Sequence, residues 1–256
     1  MKNLSILIFL LLILSTSVKS QNYFQVGFSI GGGYNFNRMQ EVEISPYKTK
    51  SIIVFSYYFD ISYRMSKNLF FETDIGNMLI SSFIERDLSK IGTNNLYTNN
   101  ENGQTVPSIP IYINYTLLNI KNKYSLRGII GVNNLLPFEF ISNQSSMTTP
   151  TSTLFDTSVS GIHSGYYFCL VGGLVFEKQY TRGNRLGLKL IYQQGFREIG
   201  YQEMHYSYNS QSYDKTARSY NNGSQVNLCI YYYWGPLGKK YRIIKAPKTG
   251  NDGLTQ

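Results

Sequence analysis

The stretch Tyr23-Phe24-Gln25-Val26-Gly27-Phe28-Ser29-Ile30-Gly31-Gly32-Gly33-Tyr34-Asn35-Phe36 decides the fold. Its even positions are Phe, Val, Phe, Ile, Gly, Tyr and Phe, and its odd positions are Tyr, Gln, Gly, Ser, Gly, Gly and Asn. Strand side chains alternate between two faces with period two. One face of this strand is therefore apolar and the other small and polar. A soluble sheet would carry Lys and Glu on its wet face; this one carries Gly, Ser, Asn and Gln.

Seven further segments repeat the pattern. Ile53, Phe55, Tyr57, Phe59, Ile61 and Tyr63 oppose Ser56, Asp60 and Ser62; Leu69, Phe71 and Ile75 oppose Glu72, Asp74 and Gly76. Ile109, Ile111, Ile113, Tyr115 and Leu117 oppose Tyr112, Asn114 and Thr116. Tyr124, Leu126, Ile130 and Val132 oppose Ser125, Arg127, Gly131 and Asn133. The sixth segment, Gly165 to Phe176, is apolar on both faces and leaves its register open. The seventh sets Leu186, Leu188, Leu190, Tyr192 and Phe196 against Arg185, Lys189, Gln193 and Gly195. The eighth sets Val226, Leu228, Ile230, Tyr232 and Trp234 against Gln225, Asn227, Cys229 and Tyr231.

Connections alternate in length. Tight turns are expected at 64–68, 119–123 and 177–184. Long loops are expected at 37–51, 81–108, 137–164 and 197–224. Short turns on one side and long loops on the other are the layout of outer-membrane barrels, with the short turns periplasmic. Aromatics at both ends of the apolar rows suit two membrane interfaces. A secreted β-sandwich or a lipocalin-like barrel would also alternate, but neither explains a polar row made mostly of Gly, Ser, Asn, Gln and Tyr, the aromatic ends or the alternating loop lengths. The expected fold is an all-β, eight-stranded antiparallel up-and-down transmembrane barrel over 21–236.

Ahead of it, Met1 to Ser20 reads as a secretory leader. Lys2 precedes an apolar run from Leu4 to Leu14, and Val18-Lys19-Ser20 supplies the cleavage signal, so cleavage is expected before Gln21. The run is too short for a spanning helix, which needs roughly 20 residues. With no other apolar helical span in the chain, only a closed barrel can satisfy the backbone in lipid. The 256 residues carry 24 Lys and Arg, 15 Asp and Glu and a net +9, which falls to +7 once Lys2 and Lys19 are removed. Basic residues gather in the short turns (Lys67, Lys121, Lys123, Lys178, Arg182) and in the 237–256 tail (Lys239, Lys240, Arg242, Lys245, Lys248). A basic periplasmic rim meets anionic headgroups. No nucleic-acid partner is expected.

Residues 26–33 (VGFSIGGG), 109–115 (IPIYINY), 126–136 (LRGIIGVNNLL), 188–196 (LKLIYQQGF) and 227–235 (NLCIYYYWG) together resemble the PorT-like outer-membrane β-barrel family of Bacteroidetes-type bacteria. The resemblance covers most of the mature chain. It implies the fold and an outer-membrane location, with an accessory place in secretion or envelope assembly; it implies no catalytic activity.

Charge on the inward row falls at Asp60, Glu72, Asp74, Arg127, Arg185 and Lys189, most of them three to five residues from a short turn and hence at similar depth. An eight-stranded bore is about wide enough for side chains to fill, and charges there must pair. A salt-bridged plug is expected, with a small porin as a rival. His205 and Ser207, with Glu203 nearby, have the His-x-Ser spacing that lipid A deacylases with eight-stranded barrels use. A Ser nucleophile needs a positioned base, and the surrounding Tyr, Ser and Asn give no sign of one. The expectation is therefore no enzyme, with a lipid A-modifying enzyme as the alternative. Tyr201, Tyr206, Tyr208, Tyr213 and Tyr220 among small polar residues suit an adaptable binding surface. Cys169 and Cys229 lie two strands apart, about 9–10 Å, beyond disulfide reach, and are expected to be free thiols. No metal and no cofactor is expected. The expected partners are outer-membrane lipid and envelope or secretion proteins, around a monomeric barrel.

Overall fold

In the computed structural model, residues 23–40, 47–49, 51–86, 99–120, 123–147, 154–180, 183–208 and 215–235 are described. The leader, the basic tail, Lys121, Arg182 and Tyr213 lie outside them. Twelve strands form: β1 (Tyr23–Gln40), β2 (Tyr47–Thr49), β3 (Ile53–Arg64), β4 (Leu69–Arg86), β5 (Asn99–Ile120), β6 (Tyr124–Leu135), β7 (Phe140–Met147), β8 (Leu154–Ile162), β9 (Tyr167–Gln179), β10 (Arg185–Gly195), β11 (Gly200–Tyr208) and β12 (Lys215–Tyr233). Eight of them, in the order β1-β3-β4-β5-β6-β9-β10-β12, close into an antiparallel barrel through the β1–β12 pairing.

Alternation sets the two surfaces. On β1, Gln25, Ser29 and Asn35 are buried while Phe24, Phe28, Ile30 and Tyr34 are exposed. On β10, Arg185, Lys189, Ile191 and Gln193 face in, and Leu186, Leu188, Leu190 and Tyr192 face out. An apolar belt exposed around a closed wall is what lipid stabilises and water does not. Rings bound the belt on both sides. Phe24 meets Tyr63 at 4.6 Å, Tyr124 stacks on Phe176 at 6.1 Å, and Tyr232 meets Trp234 at 5.7 Å toward the short turns. Phe168 with Phe196 (5.8 Å) and Phe36 with Tyr192 (6.5 Å) mark the other rim.

The segments expected as long loops are largely strand. Beyond the belt β1, β4, β5 and β12 run on, and β2, β7, β8 and β11 join them. In this extension β12 leaves β10 and pairs with β11, which pairs with β8, which pairs with β7. The hand-off is a bulge. Between the Asn35↔Gln225 and Asn37↔Asn221 pairs β1 passes one residue, Phe36, while β12 passes three, Asn222, Gly223 and Ser224. Gly223 takes φ +82 there, a left-handed conformation that glycine adopts without a Cβ clash. Its carbonyl accepts from Gln193 Nε2 at 2.8 Å. The expected turn at 177–184 also starts too early: β9 runs to Gln179, which carries Glu177 into the bore.

Candidate functional site: the filled bore

Toward the short turns the bore holds an ion cluster. Arg127 Nη2 donates to Glu177 Oε2 at 2.6 Å and to Tyr231 OH at 3.0 Å, and Nη1 donates to Glu72 Oε1 at 3.4 Å. Arg185 Nη1 donates to the same Glu177 oxygen at 3.1 Å and Nη2 to Ser62 Oγ at 2.8 Å. Tyr231 OH donates to Glu177 Oε2 at 2.7 Å. The Phe70 ring lies against both guanidiniums, 4.6 Å from Arg127 and 5.2 Å from Arg185. Aromatic faces favour a cation.

One level further in, Lys189 Nζ lies 3.3 Å from Glu72, 3.4 Å from Asp74 and 3.9 Å from Asp60. Asp60 and Asp74 are cross-strand partners on β3 and β4, so both carboxyls project to one spot. Ser29 Oγ donates to Asp60 Oδ1 at 2.9 Å. The rings of Tyr112, Tyr231 and Tyr233 stand 5.1–5.8 Å from the ammonium. All seven charged groups are at most 4% exposed.

The structure thus brings Asp60, Glu72, Asp74, Arg127, Arg185 and Lys189 into one network. It adds Glu177, which the sequence reading assigned to a turn, and the inward Tyr112, Tyr231 and Tyr233. No sequence signal marked Glu177, because β9 is apolar on both faces; the structure shows that it shares the inward row of Tyr167, Cys169, Val171 and Val175.

Above the ions a hydrogen-bonded chain crosses the bore. Ser108 Oγ donates to Asn133 Oδ1 (2.8 Å), Asn133 Nδ2 to Gln193 Oε1 (2.8 Å), and Gln193 to the Gly223 carbonyl. An apolar layer follows, built from Met78, Ile80, Val106, Leu135, Ile162, Tyr167, Cys169 and Ile199. In the extension a second apolar layer joins Tyr47, Ile84, Met204, Tyr206 and Ala217. Cys169 and Cys229 are both free and buried.

Tyr206 is therefore not part of a binding surface. β11 alternates, so Gln202, Met204 and Tyr206 face in while Tyr201, Glu203 and His205 face out. On that outer face Glu203 pairs with His205 at 3.0 Å, and His205 Nδ1 lies 3.4 Å from Thr216 Oγ1. Ser207 and Tyr208 belong to the same strand. His163 stacks on Tyr201 at 5.1 Å and Arg218 lies over the same ring at 5.0 Å. Glu198 binds both flanking groups, at 3.2 Å from His163 and 2.5 Å from Arg218. Tyr220 pairs with Tyr201 across the β11–β12 ladder.

The closed eight-stranded wall is also found in solved structures. The outer membrane protein OprG from Pseudomonas aeruginosa superposes with a TM-score of 0.52 at 10% identity, over 85% of this chain and 97% of that one. The fold is that of an outer-membrane β-barrel. The attachment invasion locus protein Ail of Yersinia pestis aligns at 9% identity over 83% of this chain and 99% of its own, with a TM-score of 0.34. No family model matches the chain, and no curated protein matches it by sequence.

Proposed function

We propose that the chain is a sealed barrel of the bacterial outer membrane, exported by a leader cut before Gln21, whose work is done on the extension and not through the bore. On this reading the short turns face the periplasm and the extension stands outside the cell. Its partners are outer-membrane lipid around the belt and envelope or secretion proteins, as in the PorT-like reading. It works as a monomer, without cofactor, nucleic acid or catalysis.

The observation that carries this reading is the filling of the bore at successive levels, from the Glu177 cluster through Lys189 and the Gln193 chain to two apolar layers. Eight strands leave room for side chains and little else. Planar-bilayer recording on the purified protein is the direct check. The expected result is no steady ohmic conductance; a porin-sized conductance would replace the plug with a channel. Detergent fractionation is expected to place the mature chain in the outer membrane, and recovery from the soluble periplasm would sink the assignment.

Catalysis is tested separately. Glu203 and His205 lie 3.0 Å apart on an outward strand face, away from the bore. Lipid A mass spectra from wild-type and His205→Ala cells are expected to be identical. An acyl-chain change that depends on His205 would move the protein to the lipid A-modifying class.

A further inference from the structure

The short-turn end of the barrel carries cations that the bore does not use. The segments 64–68, 119–123 and 179–184 hold Arg64, Lys67, Lys121, Lys123 and Arg182 and no Asp or Glu. A small cavity of about 30 Å³ lies in this mouth, and Arg64, Lys67 and Lys123 line it. Arg64 stands there by parity, because it continues the inward row of Ser56, Tyr58, Asp60 and Ser62 on β3. Its guanidinium is held in place. Nε donates to the Ser66 carbonyl at 3.0 Å, Nη1 to Tyr23 OH at 3.2 Å and Nη2 to the Lys67 carbonyl at 3.0 Å. The rings of Tyr23 and Phe70 lie 5.6 and 5.5 Å from it. A guanidinium has five N–H donors, so two remain.

Among the described residues no carboxylate pairs with Arg64, Lys67 or Lys123. Glu177 is the one acid in the lining, and it is taken. Arg127, Arg185 and Tyr231 donate to its Oε2, and Ser125 donates to its Oε1 at 3.4 Å. Thr116, Asn119 and Gln179 add neutral polar groups, and Tyr124 adds a ring 5.6 Å from Lys123 Nζ. The mouth is thus left with surplus positive charge, which an anion would neutralise. Size and place decide which anion. A water needs about 10–15 Å³, so 30 Å³ takes two oxygens. Two is the count of a carboxylate; a phosphate brings four. The place is the inner side of the wall, away from the lipid that surrounds it. The cation that suits headgroups is Lys178, which shares the outward row of Phe176 and lies 5.0 Å from the Tyr180 ring.

We propose that the short-turn mouth docks an acidic segment of a periplasmic protein, with one Asp or Glu carboxylate of that segment seated between Arg64, Lys67 and Lys123. Arginine clusters recognise acidic motifs in this way, and one guanidinium can donate to both oxygens of a carboxylate. The proposal rests on the reading that the short turns face the periplasm, and it gives the envelope partner a chemistry and a docking point.

The test uses the full-length protein in phosphatidylcholine nanodiscs and the anisotropy of a rhodamine-labelled peptide, Gly-Ser-Glu-Asp-Glu-Glu-Ser-Gly, at low salt. Saturable binding is expected, with none to empty discs and none of the same peptide carrying Gln and Asn for Glu and Asp. Arg64→Gln is expected to weaken binding about tenfold, the worth of a hydrogen bond to a charged group. Lys67→Gln combined with Lys123→Gln, both at exposed positions, is expected to weaken it several-fold. Lys178→Gln removes the same charge from the lipid side and is expected to leave binding unchanged. Equal losses for Lys178→Gln and Arg64→Gln would mean attraction by net charge alone and overturn the site. Absence of saturable binding overturns it too. So does displacement of the peptide by an equal concentration of dihexanoylphosphatidylglycerol, which would give the site to lipid headgroups. Orientation is read separately. A polyethylene glycol maleimide too large to cross the outer membrane is expected to leave Lys67→Cys unlabelled on intact cells. Labelling would overturn the periplasmic partner even where the purified protein binds the peptide.

Discussion

Lys189→Met is expected to lower the temperature at which the heat-modifiable gel band shifts, and to do so more than any neutral substitution on the lipid face. Among the described residues Lys189 is the one cation paired with Asp60 and Asp74, and it also meets Glu72, which Arg127 shares. Methionine fills similar volume but leaves Asp60 and Asp74 facing each other without a cation, with Glu72 held only by the arginines. Breaking a buried ion pair by removing one partner costs about 3–5 kcal/mol, because the remaining charge keeps its desolvation penalty. Removing charge from both sides can be near neutral.

The second substitution therefore carries the discrimination. Asp74→Asn in the Lys189→Met background is expected to restore much of the loss. Glu72→Gln in that background is expected to restore less, since Glu72 also binds Arg127 at 3.4 Å and its neutralisation exposes a new defect. If Lys189→Met melts with wild type, the bore is wet enough to solvate the acids and the plug is not what holds it closed. If both second substitutions rescue equally, the two ion clusters are one pool of charge and not the two levels described above.

The belt could be read from sequence because lipid imposes a strict rule. Phe55, Tyr57, Phe59 and Ile61 meet hydrocarbon or its interface, while Ser56, Asp60 and Ser62 meet the bore, and no residue can be on the wrong side cheaply. The inward charges followed from the same parity. The extension obeys no such rule. On β11 one face packs on Tyr47 and Ile84 and the other meets water, so Gln202-Glu203-Met204-His205-Tyr206 alternates in burial but hardly in polarity. Its strands read as Tyr-, Ser- and Asn-rich loops for that reason. β9 failed differently. Its inward Val171 and Val175 pack with the buried rings of Tyr112, Tyr231 and Tyr233, so both faces are apolar and parity is invisible. Glu177-Lys178-Gln179, running into Arg182-Gly183-Asn184, then looks like the start of a turn.

Glu177 supplies the second large effect. Its Oε2 accepts from Arg127, Arg185 and Tyr231 at 2.6, 3.1 and 2.7 Å, so one oxygen anchors two guanidiniums. Glu177→Gln keeps the shape but removes the charge. Glu72, 3.4 Å from Arg127 and 3.9 Å from Arg185, then serves both arginines and Lys189. The expected cost in urea unfolding from lipid vesicles is again about 3–5 kcal/mol. Tyr231→Phe removes one hydrogen bond to a charged oxygen and is expected to cost less, about 1.5–3 kcal/mol. Arg185→Met added to Glu177→Gln is expected to recover part of the loss, because one uncompensated guanidinium is gone while Arg127 keeps Glu72. An unfolding midpoint for Glu177→Gln equal to that of wild type would return Glu177 to the rim, where water solvates it, and the short-turn end of the bore would have to be regarded as open.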